Sequence, residues 1–158
     1  MAGTGAEIAV PHLPGARVLV VEARYYARIN DFLLAGARAV LEAAGTTVTH
    51  VVVPGALEIP PAIAIAQAGG AFDGYVALGC VIRGETTHYD LVAGESCRGL
   101  MELGIRTGAA IGNGILTVEN EQQALVRADP ADQDKGGGAA LAALTLLALR
   151  RGIGSGAR

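Results

Sequence analysis

Tryptophan is absent from this sequence, and all aromatic residues together make up only 4% of it. A core of interlocking rings is thereby excluded, and the 51% of hydrophobic residues must pack mainly as Ala, Val, Leu and Ile. Cysteine is nearly as scarce. Cys80 and Cys97 stand alone with no CxxC, which argues against a disulfide framework and for free thiols in a reducing compartment. The three histidines show no ligand-like spacing, so a metal site has no support, and no cofactor is implied. No apolar run approaches the ~18–20 residues that span a bilayer. The first fifteen residues hold no Lys or Arg, so the basic start of a secretory leader is missing and a cytoplasmic location is expected. A net charge of −3 gives no attraction for nucleic acid or an anionic membrane. There is no GxxxxGK(S/T), no GxGxxG after the first apolar run and no GxSxG, which excludes a P-loop, a dinucleotide fingerprint and a nucleophile elbow. Lysine is the last scarcity: of twelve basic residues only Lys135 is one, a bias that genomic composition also produces and that raises the question of what this ammonium does.

What is present has a regular order. A chain of 158 residues suits one α/β domain with a real core. Residues 18–21 are a short, fully apolar run, the mark of a strand covered on both faces. Over 25–44 the apolar residues Ile29, Phe32, Leu33, Ala37, Val40, Leu41 and Ala44 recur at helical spacing, and Gly45 ends the pattern. A second strand is expected over 48–53, then a helix opened by Glu58, Pro60 and Pro61 and closed by Gly69 and Gly70. A third strand is expected over 75–80. Thr86 or Thr87 can cap the next helix, whose stripe is Leu91, Val92, Gly99, Leu100 and Leu103. A fourth strand over 109–118, a short helix over 119–128 and a last helix over about 137–151 complete the chain. This alternation predicts the α/β class: a single-domain, three-layer α/β/α sandwich around a four-stranded parallel, flavodoxin-like sheet. Residues 1–15, with Pro11, Pro14 and three glycines, are expected to form a flexible arm, and 16–155 the domain. The last helix is apolar nearly all round, through Leu141, Leu144, Leu146, Leu147 and Leu149, and calls for cover from a neighbouring subunit.

In an open parallel sheet the ligand crevice lies beyond the carboxyl ends of the strands. Four stretches qualify: 23–26, 54–58, 81–88 and the neighbourhood of Asn113 and Gly114. The third is the richest. Arg83-Gly84-Glu85-Thr86-Thr87 runs into a helix start, where free N–H groups and the dipole favour an anion, and His88 falls in the first turn. An imidazole titrating near pH ~6.5 can pass protons there; a histidine that only follows a capping loop is an equally good account of the same pattern. His12 and His50 are better read as structural or solvent-facing.

Taken together, five segments resemble the substrate loops of the lumazine synthase family. They are Pro54-Gly55-Ala56-Leu57-Glu58-Ile59-Pro60; the run from Gly79 through Val81-Ile82-Arg83-Gly84 and Thr86 to His88-Tyr89-Asp90; Asn113-Gly114-Ile115-Leu116-Thr117-Val118-Glu119-Asn120; Gln123-Ala124 with Arg127-Ala128; and Asp134-Lys135-Gly136. The likeness runs in order from about Arg17 to the last helix, and five matches together are far more specific than any one. It implies a riboflavin-pathway transferase that condenses 5-amino-6-(D-ribitylamino)uracil with 3,4-dihydroxy-2-butanone 4-phosphate to give 6,7-dimethyl-8-ribityllumazine, phosphate and water. By the same resemblance Tyr25 stacks on the pyrimidine, Ala56, Leu57 and Glu58 hold the ribityl chain, and Cys80, Val81 and Ile82 line the pyrimidine slot. Glu85 and Thr86 contact the phosphate through their backbone and Arg127 pairs with it, while Asn113 and Lys135 reach the pyrimidine and His88 shuttles protons.

The resemblance further implies a homo-oligomer whose sites lie between adjacent subunits, with the 113–135 region supplied by the neighbour. The short 128–134 connection and the two prolines of the arm favour a pentamer over a larger shell. Two other classes fit the same layering: a cage that stores ligand with weak catalysis, and a flavodoxin-like flavin binder. Turnover of the two substrates to a lumazine separates these readings.

Overall fold

The computed structural model describes residues 7–154. Its strands are β1 (Arg17–Ala23), β2 (Thr47–Val53), β3 (Gly74–Ile82) and β4 (Ile111–Val118), and its helices α1 (Ala27–Ala43), α2 (Ile59–Gly69), α3 (His88–Thr107), α4 (Glu121–Ala128) and α5 (Lys135–Gly154), with a short 3-10 turn at Ala56–Glu58 before α2. All three pairings are parallel, in the order β2-β1-β3-β4. The expected three-layer, flavodoxin-like α/β architecture is therefore what the chain adopts. Because the order reverses at β1, the crevice predicted by the switch-point rule opens above β1 and β3.

The core sits on both faces of the sheet. On one face Val18, Val20, Val76 and Leu78 pack against Leu33 and Leu41 of α1 and Leu144 and Leu147 of α5. On the other, Leu19, Val21 and Ala77 meet Ile59 and Ile63 of α2 and Leu100 of α3. Strands β1 and β3 are almost entirely buried, as their unbroken apolar runs require. Strands β2 and β4 are edges. In β4 the buried positions Gly112, Gly114, Leu116 and Val118 alternate with the open Asn113 and Thr117.

Several boundaries differ from the sequence expectation. The fourth strand begins at Ile111, and α4 at Glu121, because the Asn120 side chain caps it by accepting from the Gln123 N–H at 2.9 Å. Helix α5 starts two residues early, at Lys135. Asp134, in the left-handed region at φ 44°, accepts from the Gly137 N–H at 3.0 Å and makes the three following glycines helical. Thr87 holds the N-cap position of α3 with no side-chain cap bond; the Thr86 Oγ1 instead accepts from the His88 N–H at 3.3 Å.

Residues 1–6 of the expected arm and Ser155 at the end of the expected domain lie outside the described residues. The last residues of the arm are fastened: Leu13 is buried, and Leu13 and Gly15 donate to the Ala44 and Gly45 carbonyls, each at 2.9 Å. In α5, Leu144 and Leu147 are buried while Leu146 and Leu149 remain exposed. Among the described residues no helix is long and apolar enough to cross a membrane.

Candidate active site

A cleft of about 500 Å³ opens at the carboxyl ends of the strands. Three stretches wall it: Tyr25 and Tyr26 after β1, residues 54–58 after β2, and the chain from Cys80 through Gly84, Thr86 and His88 to Tyr89 and Val92 after β3. Nine of the residues singled out in the sequence meet here: Tyr25, Ala56, Leu57, Glu58, Cys80, Val81, Ile82, Thr86 and His88. Gly84, expected from sequence in the anion-binding loop, lines the same space, as do Tyr26, Pro54, Gly55, Tyr89 and Val92, which were given no substrate contact of their own. The adjacency of two tyrosines in a chain with so few aromatics was the available signal for Tyr26.

The lining residues fall into chemically different groups. One group is uncharged. Tyr25 is 76% exposed, and its ring meets Tyr26 edge-on, 5.0 Å between centroids. Burial, and then the neighbouring Cys80, Tyr25 and Glu121, raise the Tyr26 phenol above its ordinary value. Burial alone pushes the Cys80 thiol up to about 12, so both groups stay neutral at physiological pH. A flat, uncharged ring can lie here at no cost in unpaired charge. The adjoining 3-10 turn carries Glu58, whose Oε2 lies over Gly55, 3.1 Å from where a Cβ would stand. That carboxylate is an exposed acceptor for hydroxyl groups.

Elsewhere in the lining, the long helix α3 begins directly after the loop of residues 84–87, all exposed, and presents its amino end there. This suits a bound anion. His88 is the first residue of α3 and lines the cleft together with Gly84 and Thr86. Arg83 braces the loop from outside. Its guanidinium lies 4.2 Å over the Tyr89 ring and donates to Glu119 at 2.8 Å and Asp90 at 3.5 Å, while its backbone N–H donates to the Val118 carbonyl at 3.0 Å.

Four of the singled-out residues do not join this cleft within one chain. Glu85 is exposed on the loop and outside the lining. Asn113 is in the middle of β4, its Nδ2 donating to the Cys97 Sγ at 3.3 Å and its Oδ1 accepting from the Ile115 N–H at 2.9 Å. Arg127 donates to the Gln123 carbonyl of its own helix at 3.0 Å. Lys135 is exposed at the start of α5. Asn113 thus belongs to the edge strand β4, one strand beyond β3, and Arg127 and Lys135 to the helices C-terminal to it, which pack against α1.

Comparison with known proteins places these observations. A family model described as 6,7-dimethyl-8-ribityllumazine synthase matches residues 15–151. A protein of that name from Methylobacterium radiotolerans is 64% identical over 148 residues, covering 94% of this chain and 90% of the relative. One from Novosphingobium aromaticivorans is 64% identical over 135 residues, covering 85% and 96%, and one from Erythrobacter litoralis 61% identical over 140 residues, covering 89% and 99%.

Proposed function

The chain belongs to the 6,7-dimethyl-8-ribityllumazine synthase family, and we propose that its cleft carries out the family's riboflavin-pathway reaction with the residues assembled there. The substrates are 5-amino-6-(D-ribitylamino)uracil and 3,4-dihydroxy-2-butanone 4-phosphate. The uracil lies against the uncharged group, between Tyr25 and the Cys80, Val81 and Ile82 wall; the ribityl hydroxyls reach Ala56, Leu57 and the Glu58 carboxylate. The phosphate ester sits at the start of α3, on the backbone of residues 84–86, and His88 adjoins it. The 5-amino group adds to the ketone and water leaves, giving an imine. Phosphate then departs by elimination, the enol tautomerises, and the ribitylamino nitrogen closes the ring with loss of a second water. His88 accepts and returns the protons of the elimination and tautomerisation. Since the two reactants already carry the nucleophile, electrophile and leaving group, most of the acceleration comes from holding them together.

One observation carries this reading: the helix start, the imidazole, the tyrosine pair and the Glu58 turn all line a single cleft. Asn113, Arg127 and Lys135 complete it from the adjacent subunit of a homopentamer. Two features support that part of the proposal: the three residues do not line their own chain's cleft, and Ile65, Met101 and Ile105 expose 63–75% of their surface on α2 and α3. The free thiols Cys80 and Cys97 accord with a cytoplasmic location. Mixing the protein with both substrates and following lumazine absorbance tests the assignment. His88→Ala is expected to lower kcat by roughly tenfold to a hundredfold and leave measurable turnover, because proximity survives the loss of the proton shuttle. Wild-type rates for that variant across neutral pH would remove the proton-transfer role.

A further inference from the structure

Strand β1 reads Val-Leu-Val-Val and then places Glu22, fully buried, one residue before it ends. A carboxylate taken out of water is costly unless it is paired, and this one is paired twice. Arg24 Nη1 donates to Oε1 at 2.7 Å, and His50 Nε2, on the neighbouring β2, meets Oε2. The same guanidinium reaches on to Asp31 of α1 at 2.6 Å and to the Ala27 carbonyl at 3.4 Å. Nothing in the proposed chemistry uses this cluster, and none of its members lines the cleft.

Its placement shows what it does. Arg24 is the residue immediately before Tyr25, and its two carboxylate partners lie one on either side of the Tyr25–Tyr26 turn, in β1 and α1. The buried Asn30 side chain holds the same turn by donating to the Ala23 carbonyl at 3.0 Å. Through His50 the cluster also ties down β2, which runs directly into the 54–58 turn. The phosphate end of the cleft has a separate brace, Arg83 with Glu119, Asp90 and Tyr89. We infer that Glu22 is a positioning residue for the pyrimidine and ribityl half of the site, linking the loops after β1 and β2 through Arg24 and His50 and leaving the phosphate half independent. The inference rests on Tyr25 being the ring contact.

Steady-state kinetics with each substrate varied in turn tests it on Glu22→Gln, Asp31→Asn and Tyr25→Ala. Glu22→Gln is expected to raise KM for the ribitylaminouracil about three- to tenfold, with KM for the ketose phosphate and kcat within about twofold of wild type. Asp31 is exposed, so Asp31→Asn folds whatever happens to the buried variant; it should move the same KM in the same direction, by less. A role confined to stability would shift neither KM at a temperature well below unfolding. If Tyr25→Ala raises the pyrimidine KM while Glu22→Gln and Asp31→Asn leave it at the wild-type value, or raise both KM values alike, the positioning role is overturned and the site stands. If Tyr25→Ala also leaves that KM unchanged, the ring contact itself is wrong and the inference goes with it.

Discussion

Burial keeps the Cys80 thiol neutral, and the consequence is chemical as well as electrostatic. With its pKa pushed up to about 12, the thiolate fraction at pH 8 is roughly a thousandfold below that of an unburied cysteine, and it is the thiolate that reacts. Iodoacetamide labelling followed by peptide mass analysis should therefore leave Cys80 unmodified in the native protein and modify it fully in denaturant; rapid native labelling would show that the slot is open and the thiol ionised. At this scale the sequence was most informative where a loop motif is self-contained. Glu58 after Pro54-Gly55, and Thr86 with His88 at a helix start, could be placed at the crevice because each loop follows directly on a strand end, and all three line the cleft. Glu22 could not. Its burial and its partners depend on β2 lying beside β1 and on α1 folding back over the strand end, contacts separated by up to 28 positions in the chain. Arg83 escaped for the same reason, since its brace to Glu119 spans 36 positions.

Elements were legible in kind and order, and less so at their ends. The three glycines 136–138 act as a helix breaker by propensity, yet they form the first turn of α5. Close packing overrides the local preference: a Cβ on Gly136 would overlap the Leu33 carbonyl of α1, and one on Gly137 the Asp134 carboxylate that caps the helix. Close packing governs β4 as well, where a Cβ on Gly112 would overlap the Ala139 carbonyl of α5. Gly112→Ala forces α5 off the sheet, and we expect a loss of about 2–4 kcal/mol in urea unfolding; an unchanged midpoint would mean that α5 yields freely. Asp73 ties the start of β1 to the end of α5. It accepts from the Arg17 N–H at 2.7 Å and lies 3.7 Å from Arg151. Desolvation alone would raise its pKa, but the Arg17 bonds and the two guanidinium charges outweigh it and leave the carboxyl below its ordinary 3.8. A carboxyl whose folded pKa is depressed stabilises above the unfolded value and loses that contribution as pH falls through the folded one. Wild type should thus lose more stability than Asp73→Asn as pH drops from about 5 to about 2.5, measured by chemical unfolding at each pH; parallel curves for the two proteins would show that the pairing adds nothing.

The whole molecule has to account for the residues that the single chain leaves apart. Arg127 is the proposed partner of the phosphate, yet its guanidinium bonds its own helix while the proposed anion site is at the start of α3. If both belonged to one chain's cleft, no mixture of two singly defective chains could contain an intact site. If Arg127 acts in the neighbour's cleft, an intact site needs only a chain with His88 beside a chain with Arg127. Random co-assembly of His88→Ala and Arg127→Ala subunits then makes about a quarter of the clefts wild type, because each cleft draws one chain from each side of an interface. Denaturing the two variants together, refolding them and assaying lumazine formation distinguishes the two arrangements, with the separately refolded variants as the baseline. We expect activity well above that baseline in the mixture, and a native mass of five chains in the active fraction. The exposed Met101 and Ile105 on α3 supply the control: with Met101→Asp and Ile105→Asp in both chains the subunits can no longer bury that face, and the regained activity should vanish together with the five-chain mass. Activity that stayed at baseline while the mixed oligomer assembled normally would put Arg127 back in its own chain's site, and the shared cleft would have to be abandoned.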